Sequence, residues 1–377
     1  MTEYAQPRAQ PRAEPLSEPR AEPRSEPRTK GLSHRVKQVV KIYDPRTWKE
    51  KGWLWTAGLF LVTYLIVVIA LGVFWSRSPG LFDVHNEALA MVQHDPERMV
   101  PGTMTTAVAI RIADTLLDKP GGYLSNDVTP PGVFLDNIPN WEYGALTALR
   151  DLTLALRNDF SRAQSQSAED LDLEKAQPQF NYDSNSWILP STESEYRNGR
   201  KALKRYFERL SQPSPEGAQF FARADNLSAY LETAEKRLGS YAQRLSYAVG
   251  QSTLDTDLAG EPDAAQAKQT PAQVKTKTPW FKIDDIFFET RGYTWALLHA
   301  LEAMEEDFAA VLEPKNARVS LQQIHRELED TQNFLWSPLI LNGTGFGPMG
   351  NHSLVMASYI SRANAGIAQL RQLLRTG

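Results

Sequence analysis

From Gly52 to Ser76 the chain carries no charged residue, and Trp53 to Trp75 form a run of 23 residues in which only Thr56, Thr63 and Tyr64 are polar. At about 1.5 Å of rise per residue, a helix of that length crosses a hydrocarbon layer of roughly 30 Å. Trp48, Trp53 and Trp55 cluster at one end and Trp75 closes the other, where an indole can keep its ring in lipid and its N–H near water. The core helix of a soluble protein rarely stays uncharged for so long. A cleaved signal fits poorly too, because Ser76-Arg77-Ser78-Pro79 lacks the small-x-small pattern of a cleavage site. The run therefore predicts one transmembrane helix at 53–75, with the lipid bilayer as partner.

The flanks give this helix a direction. Arg28, Lys30, Arg35, Lys37, Lys41, Arg46, Lys49 and Lys51 precede it, whereas Arg77 alone follows closely before Asp83, Glu87 and Asp95. Cationic flanks stay on the cytoplasmic side, so the N-terminus is expected in the cytoplasm and residues 76–377 in the periplasm of a bacterial inner membrane. Net charge follows the same division. Residues 1–51 hold 12 Lys and Arg against 7 acids, leaving 29 against 38 for the remainder. An acidic exported part gives no electrostatic footprint for nucleic acid.

Two segments precede the span. In residues 1–30, Pro7, Pro11, Pro15, Pro19, Pro23 and Pro27 recur every four positions with charged neighbours and almost no aliphatic residue. Such a repeat cannot bury enough apolar area to offset its ordering entropy, and it is read as a disordered tail. In residues 31–51, Leu32, Val36, Val39, Val40 and Tyr43 share one helical face opposite Arg35, Lys37 and Lys41, a pattern suited to anionic lipid.

Residues 80–377 have the length for a large core, which they must hold together without disulfides because the chain has no cysteine. Apolar residues step by three and four through Phe220, Ala224, Leu227, Leu231, Ala234, Leu238, Tyr241, Leu245 and Ala248. Like stripes start at Leu297, Leu321 and Met356. Shorter helices are expected at Thr103–Asp118, at Trp141–Phe160 behind Asn140, and at Ser194–Leu210. Strand patterns are scarce, so the expected fold is all-α: one N-terminal transmembrane helix, then a multi-helix antiparallel bundle. A stretch poor in large apolar residues at 250–279 reads as an exposed linker that could divide the bundle in two.

The chemical motifs are weak. Gly345-Phe346-Gly347-Pro348-Met349-Gly350 satisfies G-x-G-x-x-G, but it follows no βαβ unit and no acidic residue comes after it to hold a ribose, so no nucleotide or other cofactor is expected. His85, His94, His299, His325 and His352 are scattered, and His325 with Glu329 makes only one i,i+4 pair, so no metal is expected. Neither G-x-S-x-G nor S-x-x-K occurs. Carboxylate chemistry needs only two acids a few ångströms apart beside aromatic platforms. Asp127, Asp136, Glu142 and Asp183 are the candidates for that role, with Tyr123, Trp141, Tyr182 and Trp187 as sugar-stacking rings in the irregular segments 120–140 and 180–190. Capping helices and closing turns is the more common use of such residues.

The segments Lys119-Pro120-Gly121-Gly122-Tyr123-Leu124-Ser125-Asn126-Asp127, Thr129-Pro130-Pro131-Gly132 and Asn140-Trp141-Glu142-Tyr143-Gly144 carry a resemblance. The chain resembles a family of uncharacterised single-pass inner-membrane proteins of proteobacteria, classed as a domain of unknown function. The likeness runs from about Lys37 to the C-terminus and leaves the proline repeat outside. It implies an envelope location and brings no activity or catalytic residue with it. Two functions remain in view. The first is a membrane-anchored periplasmic scaffold that binds another protein or itself. The second is a glycan-binding or glycan-cleaving protein using loops 120–140 and 180–190.

Overall fold

The computed structural model describes residues 43–163, 167–212, 217–254, 273–337, 339–344 and 347–376. The proline repeat at 1–30 and most of the basic segment at 31–51 lie outside them, as do Gly345 and Phe346 of the glycine motif.

Two units make up the chain, divided between Ile66 and Val67. In the first, Asp44 caps the short α1 (Pro45–Lys51) by accepting from Arg46 N at 2.9 Å. After Gly52, at φ +87°, the chain enters α2 (Trp53–Trp75), the one helix among the described residues long and apolar enough to cross a membrane. Its side chains are almost all exposed, unlike those of a core helix.

Among its described residues, the unit from Val67 onward is built from helices, with one two-stranded ribbon and an isolated bridge between Asn342 and Asn351. In order it holds α3 (Val84–Met91), α4 (Thr103–Asp118), α5 (Asn137–Ala155), α6 (Leu171–Phe180), α7 (Thr192–Leu210), α8 (Ala224–Ser246), α9 (Ile283–Asp307), α10 (Ala309–Leu312), α11 (Arg318–Asp330) and α12 (His352–Arg375). The all-α expectation holds, and the heptad-stepped segments are α8, α9, α11 and α12. The stretch at 250–279 does more than connect: its ends pair as antiparallel strands β1 (Gln251–Leu254) and β2 (Gln273–Thr276). Two helices went unforeseen. α3 has only eight residues and α6 contains Pro178, so neither shows a long period. α5 starts at Asn137 behind Asp136, one turn before the expected cap at Asn140.

The most extensive helix pair is α5 with α9, and glycine makes it possible. A Cβ on Gly144 would overlap the Glu289 carbonyl oxygen and stand 2.7 Å from Tyr293 N; one on Gly292 would overlap the Trp141 carbonyl oxygen. The two backbones touch because neither residue has a side chain to hold them apart. Around this crossing lie Trp141, Trp295, Tyr293, Leu149 and Leu297, all buried.

Contacts between the longer helices fix which way they run. At one end Asn140, in the first turn of α5, donates to Asp285 in the first turn of α9 (2.9 Å). Arg244, near the C-terminus of α8, pairs with Glu289 (2.8 Å), and Arg291 donates to the Gln332 carbonyl just past α11 (2.8 Å). The His352 ring, which begins α12, lies 6.3 Å from that of Phe287. Lys119, just past α4, pairs with Glu142, and Asn126 meets Glu193 at the start of α7 (3.0 Å). The opposite end joins Thr105 of α4 to Asp307 of α9 (2.8 Å), and Phe160 to Phe308. Thus α5, α7, α9 and α12 start at the first end, where α4, α8 and α11 finish. The described residues of the connecting segments, 119–136, 181–191, 247–254, 273–282, 331–337, 339–344 and 347–351, gather there.

The last turn of α2 reaches this same end. The Cβ position of Gly72 is 3.6 Å from Pro131 and 3.8 Å from Leu135, and the Trp75 ring covers Gly121, which sits at φ +90°.

Candidate functional site

The two aromatic loops singled out in the sequence form one structure. Tyr123 Oη donates to the Ser184 carbonyl (3.1 Å), and Asn126 Nδ2 donates to the Ser186 carbonyl (2.8 Å) as well as to Glu193. Thr192 Oγ1 closes the second loop on the Asp183 carbonyl (2.7 Å).

Beneath them lies a buried ion pair. Glu142 is fully buried and accepts from four donors: Lys119 Nζ, Leu124 N (2.9 Å), Ser125 N (2.8 Å) and Ser125 Oγ (2.5 Å). Lys119 Nζ also donates to the carbonyls of Leu116 (3.3 Å) and Gly122. Burial pushes the Glu142 carboxyl above its ordinary range, and Lys119 with the loop donors opposes the rise. Such a carboxylate staples residues 119–125 to α5 and has little capacity left for a ligand.

The other candidate acids have separate tasks. Asp136 caps α5 by accepting from Asn137 N (2.8 Å), and Asp183 closes a turn by accepting from Asn185 N (2.9 Å). Asp127 is half-buried against Gly132, and burial, followed by Glu193, raises its carboxyl. Among the rings, Tyr123 and Trp141 are core: Tyr123 packs edge-on to Tyr196 at 5.5 Å and Trp141 tilts against Trp295 at 5.0 Å. Tyr182 is half-buried, its Oη 3.4 Å from the Pro190 carbonyl, and Trp187 points out. Of the four rings, Trp187 alone presents an open face. Trp48, Trp53, Trp55 and Trp75 stand at the termini of α2 or beside them, as their positions in the sequence require.

Recesses lie elsewhere as well. The first, about 740 Å³, follows the end of α2 and is lined by Arg77, Phe82, Arg111, Asp118, Arg200 and Lys204. Its charges are largely paired, since Arg200 holds Asp114 (2.6 Å) and Asp118 (2.7 Å), and Arg111 faces Glu87 (3.6 Å). The second, about 430 Å³, is acidic and brings Glu302, Glu305 and Glu329 to His325 and His85. His325 meets Glu305 across helices (3.4 Å), a pairing that the i,i+4 spacing to Glu329 had hidden. Partial burial, with Asp83, Glu329 and Glu305 nearby, pushes Glu302 up to about 7. Among the described residues no group of three such side chains is arranged to hold a metal ion. The third, about 360 Å³, is apolar and lies between α9, α11 and α12, with Phe287, Phe334, Trp336, Met356 and Tyr359 in its walls.

His299, one of the histidines weighed as a ligand, is occupied. Its ring stacks on Phe82 at 3.8 Å, its Nε2 accepts from Phe82 N (3.1 Å) and its Nδ1 lies 2.7 Å from the Trp295 carbonyl. Accepting at Nε2 places the proton on Nδ1, so the ring is neutral, and burial lowers it to about 4.

Fold and site together define a helical bundle carried behind one long apolar helix, with its irregular segments collected at the end where that helix joins. Residues 48–377 match the model of the family described as "Uncharacterized protein conserved in bacteria (DUF2333)", and the chain belongs to that family. No match was found among curated proteins or among solved structures.

Proposed function

We propose that this is a membrane-anchored envelope protein that works by binding: α2 spans the bacterial inner membrane, the bundle stands in the periplasm, and its partner is another protein or a second copy of itself. The observation that carries the reading is the use to which the candidate acids are put. Glu142 is saturated by loop donors, while Asp136 and Asp183 cap and turn the backbone. Two of the four candidate rings are core. A glycan-cleaving site would have to be assembled around Asp127 and Trp187, because the other acids of the set already hold backbone N–H groups. The exposed, uncharged character of α2 and the cationic residues before it support the anchoring and its direction.

The test uses the full chain in lipid nanodiscs, incubated with sedimented cell-wall sacculi. The expected result is no release of soluble sugar, with the chain remaining in the supernatant. Sugar release that disappears in Asp127→Ala would overturn the binding reading and favour glycan cleavage.

A further inference from the structure

Beyond α2, every exposed Phe and Trp among the described residues lies at one end of the bundle, in the loops that gather where α2 joins. They are Phe134, Trp187, Trp280, Phe281, Phe334 and Trp336, each between 57% and 91% exposed. Val128, Val133, Ile188 and Leu189 stand exposed in the same loops, and Leu189 is 90% exposed at φ +50°, a backbone region that leucine rarely occupies. At the opposite end the exposed large apolar residues are isolated aliphatics such as Leu171, Val319 and Leu373.

The geometry points to this end of the bundle as a lipid-contacting face that lies in the outer leaflet of the same bilayer α2 crosses. The inference rests on the anchoring reading and extends it. Continuity with α2 is the main argument. Pro131 and Leu135 stand beside Gly72, nearly one turn inside the helix from Trp75, so the loop bearing Val133 and Phe134 sits at the depth of the last turn of the span. At about 1.5 Å per residue, Gly72 lies some 4 to 5 Å deeper than Trp75, within the layer where aromatic side chains settle. The remaining aromatics reach the same end along the helices. Asn140 ties α5 to Asp285, close after Trp280 and Phe281; Gln332, just before Phe334, is tied to Arg291.

Chemistry agrees with position. Six exposed Phe and Trp rings would be a heavy aggregation liability on a face open to water, and they are the residues that favour the bilayer interface. Lys277 and Lys282 bracket Trp280 and Phe281, which suits phosphate headgroups above inserted rings. The bundle is thus held against the membrane by its loops as well as by its anchor, and the apolar recess beside Phe334 and Trp336 opens toward lipid.

The chain has no cysteine, so single labels can be placed without background. Nitroxide labels on Phe134→Cys, Phe281→Cys and Trp336→Cys, with Val319→Cys and Leu373→Cys at the far end and Ile66→Cys within α2, would be compared in the full chain. Nanodiscs of phosphatidylethanolamine and phosphatidylglycerol carry the protein, and collisions with oxygen and with a water-soluble nickel chelate are measured. The expected result is loss of nickel collisions with oxygen collisions retained at 134, 281 and 336, as at 66, while 319 and 373 remain open to nickel. Nickel access at 134, 281 and 336 with 66 still in lipid would overturn the lipid-facing end alone. Protection of those three from both reagents would mean a covering protein and overturn it equally. Nickel access at 66 would overturn the anchoring reading as well.

Discussion

Replacing Gly292 with alanine should unfold the bundle more readily, although alanine is the better helix former. In an open helix the change is worth about 1 kcal/mol in favour of alanine. Here the new methyl would overlap the Trp141 carbonyl oxygen and stand 2.8 Å from Trp141 C and 3.0 Å from Ala145 N. These are backbone atoms of a packed helix and cannot rotate aside, so α5 and α9 must separate. Overpacking of this kind costs typically 1 to 3 kcal/mol, and more where backbone must shift. At the upper end of that range, and after the propensity gain, we expect a net loss of about 2 kcal/mol, equivalent to a fall in melting temperature of roughly 3 °C for a unit of this size. Gly239 supplies the control. It also lies within a helix, but its nearest neighbour is Asn364 Nδ2 at 3.7 Å, an ordinary contact, so Gly239→Ala should stabilise by up to about 1 kcal/mol. Thermal melts of the full chain in nanodiscs, followed by near-ultraviolet circular dichroism, read both. If Gly292→Ala melted with Gly239→Ala above the parent, the close crossing of α5 and α9 would be refuted.

Lys119→Met leaves Glu142 buried without its counter-charge, and we expect a loss of about 3 to 5 kcal/mol at neutral pH. That loss should shrink under acid, where Glu142 takes a proton; a deficit equal at pH 5 and pH 8 would contradict the ion pair. Asp307 gives a slope of known sign: burial raises it from 3.8 to about 6 against the donors of Thr105. Because the folded value exceeds the unfolded one, its contribution is fully present below pH 3.8 and is lost as pH rises through about 6, a change of roughly 3 kcal/mol. Asp307→Asn should remove that part of the slope, and unchanged denaturation curves across the window would count against it.

The helical period announced most of this fold because long helices repeat their apolar face many times. α8, α9, α11 and α12 were visible as stripes, and α4 was placed to the residue. What stayed hidden depended on contacts distant in sequence. Glycines 144 and 292 look like two ordinary helix-weakening positions until the crossing brings them face to face. Glu142 reads as one acid among several, since nothing local reveals that Lys119 and the amides of Leu124 and Ser125 converge on it. Tyr123 and Trp141 read as platforms because burial is a property of the packed chain. The grouping of Phe134, Trp187, Trp280 and Trp336 at one end follows from helix directions that no short window of sequence contains.

Topology is the most direct test of the whole account. Two single-cysteine variants, Ser25→Cys before α2 and Ser240→Cys on an exposed position of α8, would be treated in cells with a membrane-impermeant maleimide after the outer membrane is opened. The account predicts labelling at 240 while the inner membrane of those cells is intact and labelling at 25 only after lysis. Labelling at 25 with protection at 240 would contradict it.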